Sequence, residues 1–434
     1  MKKLALIGLL STLFVTMIFA QGDPKKALKR AKSNLGSYNL DQKKYDKLLE
    51  AKKLIDFASK DEEYGKMSKT WNLKGQIYNA LTNSVQIQQL TNPSFKDPYP
   101  DASLTAYESF KNALKYAQKK YQKSDALKGL TEVISGLSNM GIQAYSAKDF
   151  DKASQAFSLG LEIHKLLKDN GKKSPFDDKA QMQNQQYITG LADLSAGKYD
   201  EADKLFTSLK EEKYDKPEIY DGLYKVKLAE KDTTSARMIL SEGRKLFPEN
   251  KALMYSEIND YLQSDKDEEL VNMLQTAIKG EPENSSLHST LGNVHDKLSQ
   301  KLLQAGDQAG YEREFALAKA SFEKALELKP DDFYSEYSIG TLYYNKAAAL
   351  SSKLKELESD MSKAGMAKYD KVNKEMLDLF EMALPYFLKA EKMGQGSKDY
   401  NTILAIKEIY ARKNNAAKAK EYGDKLKAII PDKQ

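Results

Sequence analysis

Three prolines punctuate the second half of this 434-residue chain at a regular interval. Pro248 in "LFPEN" and Pro282 in "GEPEN" stand at i and i+34, and Pro330 in "LKPDD" follows after one more such period plus an insertion of 14. Each closes a stretch of helical patterning, which proline ends because it lacks an N–H donor. A fixed period of this length marks an array of small supersecondary units and constrains the fold more than any other feature. Within the period, positions 12 and 5 before each proline carry Ala236 and Gly243, then Leu270 and Ala277, then Ala318 and Ala325. Between them sit Leu240, Leu274 and Phe322. Small residues let two helices approach, and the large one fills the groove between them.

Composition agrees with thin helical layers. Hydrophobic residues make up 41% and charged residues 30%, so apolar groups are too few for one thick centre. Eleven prolines and 23 glycines suit long helices joined by short turns. The 68 basic and 62 acidic side chains nearly cancel, so the signature of disorder is absent.

The periodic stretches resemble the tetratricopeptide repeat, whose first helix carries an aromatic, a Leu-Gly pair and a Tyr, and whose second carries Ala, an aromatic, Ala and Pro. Leu291 and Gly292 stand in "LHSTLGNVHDKL", and Ile339, Gly340 and Tyr343 in "FYSEYSIGTLYYNK". Trp71, Gly75 and Tyr78 repeat the aromatic–Gly–Tyr spacing near the start. Phe150, Ala153 and Phe157, then Tyr199, Ala202 and Phe206, carry the second-helix pattern. The resemblance implies an all-α tetratricopeptide solenoid, a right-handed superhelix of antiparallel helix pairs with extended helical hairpin insertions. It runs from residue 61 to 434 and is strongest over 134–345. Residues 21–60 read as a degenerate first unit or cap, and 397–430 as C-terminal helices.

Three insertions depart from the pattern. The loop "NPSFKDPYPD" (92–101) is the first, and a 14-residue extension between Leu298 and Ala318 the second. The third runs over about 346–379. There Leu350, Leu354, Leu357 and Met361 form one apolar seam, and Val372, Met376, Leu379 and Ala383 form another, with a break near Gly365. Two seams about a turn predict an antiparallel hairpin arm over about 334–393 that projects past its neighbours.

Residues 1–20 read as a signal peptide. Lys2 and Lys3 make a positive start, residues 4–19 an apolar run, and Ile18 and Ala20 stand three and one residues before a cut ahead of Gln21. The alternative is an uncleaved anchoring helix, but the run is short of the about 20 residues a span needs. Cleavage leaves 66 basic and 62 acidic residues. The chain has no cysteine, which excludes disulfides, thiolate chemistry, cysteine-held zinc and a lipid-modified cysteine after the signal. The expected compartment is the bacterial periplasm, with the cell exterior as alternative. The mature chain is expected to be soluble, with any membrane association made through partners.

Little in the chain points to catalysis. His288 and His295 are seven residues apart, about 10.5 Å along a helix, too far to share a metal ion, and occupy aromatic repeat positions. His164 has no acidic or hydroxyl partner at motif spacing. Gly136, Ser138 and Gly141 miss the nucleophile-elbow spacing by one residue, and "NGKKS" (170–174) lacks its upstream phosphate-loop glycine, since Leu166 stands there. The acidic cluster of Asp61, Glu62 and Glu63 beside Lys60 and Lys66 reads as caps and solvated surface. Lysine-rich stretches at 25–32 and 43–53 are interleaved with acids, which argues against nucleic acid. The expectation is a non-catalytic protein without cofactor or metal.

In tetratricopeptide proteins the first helices line a concave wall that binds a peptide or partner helix. By repeat register that wall here includes Tyr187, Tyr255, Asn259, Asn293, Tyr337, Thr341 and Tyr344. Structural repeat positions are Trp71, Gly75, Tyr78, Ala153, Ala202, Ala236, Pro248, Pro282, Gly292, Ala318, Pro330 and Gly340. Some members clamp a terminal carboxylate with Lys, Arg and Asn; the matching positions here carry mostly Tyr, Ser, Leu and Asn. The reading is a scaffold or adaptor for a protein or peptide partner in an envelope complex. Its alternatives are a groove for a peptide, glycan or other small ligand, and an enzyme with an uncommon site.

Overall fold

The computed structural model describes residues 22–92 and 94–429, so the leader over 1–20 lies outside the described residues. Every described α-helix belongs to an array without strands. It divides into two compact units at Leu253 and Met254. The first holds α1 (Pro24–Leu40), α2 (Tyr45–Ala58), α3 (Ser68–Thr91), α4 (Ala102–Lys115), α5 (Lys120–Ser146), α6 (Phe150–Asp169), α7 (Lys179–Ser195), α8 (Tyr199–Glu211), α9 (Pro217–Ala229) and α10 (Thr233–Leu246). The boundary falls within α11 (Lys251–Leu262). The second unit continues with α12 (Asp267–Gly280), α13 (Ser285–Gln304), α14 (Gln308–Leu328), α15 (Phe333–Leu357), α16 (Lys363–Lys392), α17 (Tyr400–Arg412) and α18 (Ala416–Ile429).

Within the first unit helices pack on the next in sequence, as in a tetratricopeptide array: α3 packs on α4, α4 on α5, α5 on α6, α6 on α7. What sets the spacing is an aromatic ring on the second helix of a pair. Phe110 of α4 lies between Gly75 of α3 and Gly129 of α5, and Phe206 of α8 between Gly190 of α7 and Gly222 of α9. A Cβ on Gly129 would stand 2.2 Å from Phe110 Cε1, and one on Gly222 2.6 Å from Phe206 Cε2. The rings are fully buried, so the missing methyls are the space the rings occupy. In the second unit Phe322 of α14 fills the same place against Gly292 of α13. Ala153, Ala202, Ala236 and Ala318 are fully buried beside these rings and their equivalents.

The turns inside pairs repeat as well. Lys148, Gly197, Lys231, Gly306 and Asn414 adopt positive φ, between 55° and 80°. The next residue's N–H then reaches five residues back: Asp149 to the Ala144 carbonyl, Asp232 to Lys227, Asp307 to Leu302. That closes the first helix in a Schellman motif. The same aspartates cap the second helix, Asp232 accepting from the Ser235 N–H at 3.0 Å and Asp307 from Gly310 at 2.9 Å. Between pairs, the residue two after each periodic proline caps the next helix. Asn250 accepts from the Leu253 N–H at 3.0 Å, Asn284 from Ser286 at 3.2 Å and Asp332 from Ser335 at 3.0 Å.

The 14-residue insertion adds no loop. It lengthens α13 to 20 residues and α14 to 21. In the third insertion α15 has 25 residues and α16 has 30. Leu354, Met376, Leu379 and Ala383 are buried between these helices, with Leu350 and Val372 packed against them. The break expected near Gly365 lies earlier, at residues 358–362. Ser362 accepts from the Gly365 N–H at 3.0 Å, so Gly365 is already in the first turn of α16. Met361, assigned above to the first seam, sits in the turn and is 76% exposed.

Two stability outcomes follow from this geometry. Gly129→Ala should lower unfolding stability by about 1–3 kcal/mol through overpacking on Phe110, and Phe110→Leu in the same chain should return part of it. The sole tryptophan, Trp71 on α3, reports the urea transition. Lys231→Gly relieves a side chain held at φ 64° and should raise stability by about 1 kcal/mol, measured in the same way.

Candidate partner-binding wall

The first helices of the opening pairs, α1, α3 and α5, border a depression of about 590 Å³. Lys25, Lys29 and Lys32 of α1 line it with Lys69, Asn72 and Gln76 of α3 and Tyr121, Gln122 and Asp125 of α5. On α3 the exposed residues Lys69, Gln76, Asn83, Ile87 and Leu90 continue this lining as one stripe. On α5 the stripe runs through Tyr121, Asp125, Lys128, Glu132, Ser135, Asn139 and Ile142. Their spacings of three, four and seven keep them on one side of each helix. The opposite sides carry the buried Leu73, Ile77, Leu81, Leu130, Val133 and Leu137, which explains why these faces remain for solvent.

Charge is uneven along the chain. Residues 22–132 hold 21 lysines and arginines against 13 carboxylates, and residues 133–434 hold 45 against 49. Among the described residues no carboxylate lies within ion-pair distance of Lys25, Lys29, Lys32 or Lys69; Lys69 Nζ lies 6.0 Å over the Tyr64 ring. Asn72 Oδ1 is buried in the lining without a hydrogen-bond partner.

Behind the wall a charged knot ties α2 to α3. Asp56 accepts from Lys52 at 3.0 Å, pairs with Lys74 at 3.1 Å and accepts the Tyr78 hydroxyl at 2.8 Å. Burial alone would push the Asp56 carboxyl up, but the Lys52, Tyr78 and Lys74 contacts outweigh it and hold it below the ordinary value. Burial, reinforced by Asp56, pushes the Tyr78 hydroxyl up to about 12. Trp71 is fixed alongside: its Nε1 donates to the Gly65 carbonyl at 2.7 Å, and Lys74 Nζ lies 5.5 Å from its ring.

Of the residues assigned to the wall by repeat register, Tyr187 lies in the first unit and the other six in the second. Tyr187 on α7 is half-buried, edge-on to Tyr214 with ring centres 6.1 Å apart, and burial pushes its hydroxyl up to about 12. Tyr255 on α11 donates to Glu281 at 2.9 Å and accepts from Asn284 at 3.1 Å. Tyr337 and Tyr344 of α15 turn toward α16, with ring contacts to Phe387 at 5.7 and 6.2 Å, and the Tyr344 hydroxyl donates to Glu408 of α17. Thr341 gives its hydroxyl to the Tyr337 carbonyl at 2.9 Å. Asn259 on α11 and Asn293 on α13 are exposed. Tyrosine here mostly fills seams between helices, as its size and single polar tip allow.

Buried charge elsewhere ties neighbouring helices. Asp193 of α7 accepts from Ser154 of α6 at 2.5 Å, and burial raises its carboxyl. Asp267 meets Lys297 and Lys301, both at 2.8 Å; burial opposes them, yet they hold its carboxyl low. His295 bonds Glu314 at 2.7 Å. His288 Nε2 meets the Pro282 carbonyl at 3.0 Å. His164 does have a hydroxyl partner, Ser174 at 2.9 Å, ten residues on and beyond any motif spacing. Asp61 accepts from the Glu63 and Tyr64 N–H groups at 3.0 and 2.9 Å, a capping turn. Asp193 and Asp296, both raised by burial, belong to different units. Among the described residues no three His, Asp or Glu side chains gather as metal ligands, and no helix is long and apolar enough to cross a membrane.

The lysines of α1 were legible as a basic stretch but not as part of the wall. The cap pair lacks the repeat consensus, so register gave it no first-helix positions to compare.

No family model and no curated protein matches the chain. Solved structures that match it are mainly tetratricopeptide-repeat proteins. The C-terminal part of a repeat-containing protein of Cytophaga hutchinsonii matches at 13% identity over 68% of this chain and 96% of its own, with a TM-score of 0.46. Pseudomonas aeruginosa pilF matches at 17% identity over 58% and 93%, with a TM-score of 0.39. YrrB, described as having an unusual peptide-binding site, matches at 19% identity over 52% and 93%, with a TM-score of 0.35.

The Asp56 knot gives a pH outcome. Its lowered carboxyl contributes stability that is present above the ordinary carboxylate range and is lost as pH falls through the lowered value. Asp56→Asn should lower stability by about 2 kcal/mol at pH 7 and flatten the loss seen as pH falls below the ordinary carboxylate range, read by Trp71 fluorescence in urea.

Proposed function

We propose that this chain, an all-α protein of tetratricopeptide-repeat type, is an exported, non-catalytic scaffold that holds a protein or peptide partner in a bacterial envelope complex. The observation that carries the reading is the row of exposed first-helix stripes on α1, α3 and α5, bordered by lysines that no carboxylate of the described chain neutralises. Stacking buries the other faces, so this is where a second chain can add contact area without unfolding the first. Polar stripes with isolated apolar side chains suit partner surfaces better than they suit small-molecule pockets, which are enclosed and mostly apolar. Export rests on Lys2, Lys3 and the apolar run over 4–19. With that leader cut, the protein works in the periplasm.

The test is crosslinking in intact cells followed by pull-down of the tagged full chain, beside a variant lacking 350–376. Both should be found in the periplasmic fraction with the leader removed, and both should recover the same partner. Retention in the cytoplasm overturns the compartment. Recovery of nothing above an untagged control, together with a rise in melting temperature on titrating a small glycan, overturns the scaffold in favour of a small-ligand module.

A further inference from the structure

The lysine-lined depression occupies only one end of the wall. The same stripes end in apolar side chains. Lys69 and Ile87 stand about five whole turns apart on α3, so they project on one side. Leu90 follows one turn later and is 83% exposed; Ile87 is 48% exposed. On α5, Ile142 ends the exposed stripe at 55%. Gln143 Nε2 donates to Gln89 Oε1 at 3.1 Å, so the apolar ends of α3 and α5 lie side by side. Exposed single apolar residues are ordinary; Ile87, Leu90 and Ile142, at the adjoining ends of α3 and α5, form a zone.

We infer that the wall of α1, α3 and α5 binds an extended peptide segment of a partner protein that has an acidic block at one end and aliphatic residues at the other. This deepens the scaffold reading by naming the chemistry of what is held. The two zones are separated by those five turns of helix, ~27 Å, which about eight extended residues span. Lys25, Lys29, Lys32 and Lys69 attract the acidic block. Ile87, Leu90 and Ile142 bury the aliphatic side chains. Between the zones Gln76 and Asn83 offer donors and acceptors to the segment's backbone. A polyanion without aliphatic groups leaves half the wall unused, which sets a peptide above nucleic acid or sulfated glycan.

The probe is a fluorescein-labelled, C-terminally amidated peptide of three glutamates, a six-residue Gly/Ser spacer and Ile-Leu-Ile, made in both directions and followed by anisotropy on the mature chain. The amide removes any terminal carboxylate. One direction should bind, more weakly as salt rises. Lys29→Glu with Lys69→Glu should weaken binding about tenfold and abolish the salt dependence. Ile87→Ser with Leu90→Ser should weaken it about fivefold and leave the salt dependence in place. Lys53→Glu, on the exposed side of α2, should leave it unchanged. These positions are exposed, and circular dichroism with Trp71 emission checks that each variant folds. Absence of binding in both directions, equal binding to the Lys29/Lys69 variant, equal binding of a peptide without Ile-Leu-Ile, or tighter binding of an oligonucleotide or heparin fragment overturns the inference. Partner recovery in the crosslinking experiment would stand in any of these cases, so the two failures are separable.

Discussion

A phenylalanine between two glycines governs the spacing of the first unit. Phe110 and Phe206 each come from the second helix of a pair and touch the first helices on both sides. One ring thereby sets two distances, within a pair and to the next pair. Dispersion contacts of a buried ring are individually small and collectively large, and they are lost steeply with a fraction of an ångström of separation. The glycines let the backbones reach that separation. Everything on the solvent side, including the stripes of α3 and α5, inherits its registration from these contacts.

The polar framework works in the same local manner. Aspartates at the turns close one helix and start the next, and the residue two after each periodic proline starts the following pair. Buried charges pair a helix with its sequence neighbour, as Asp193 does with Ser154 and Asp267 with Lys297. Such an array holds its surface by a chain of short-range ties, so a wall built across three helices depends on knots like the one at Asp56 rather than on a distant core.

Much of this was legible in the sequence. The proline interval marked where α10, α12 and α14 end, and the small–large–small offsets marked the buried faces of those helices. The paired seams marked two long helices after Phe333, though not where they turn, because Ser362 as a cap outweighs Gly365 as a breaker. What repeat register could not supply was the wall. It assigned Tyr337 and Tyr344 to a groove, and their rings contact Phe387 of α16, since an aromatic at a first-helix position can also pack on its partner helix. It passed over Lys25, Lys29 and Lys32, because a cap need not carry the consensus of the interior units.

The long pair α13–α14 shows how such arrays can grow. Its 14 extra residues are shared almost equally between the helices, about seven each. Seven residues make nearly two whole turns, a drift of only about 20°, so both helices return to their neighbours in the original phase. An addition of ten residues, five to each helix, would swing the two far ends by about 140° and turn their apolar sides to water. In this pair the added length therefore comes in whole turns, which extends the hairpin's reach while keeping its two apolar sides on each other.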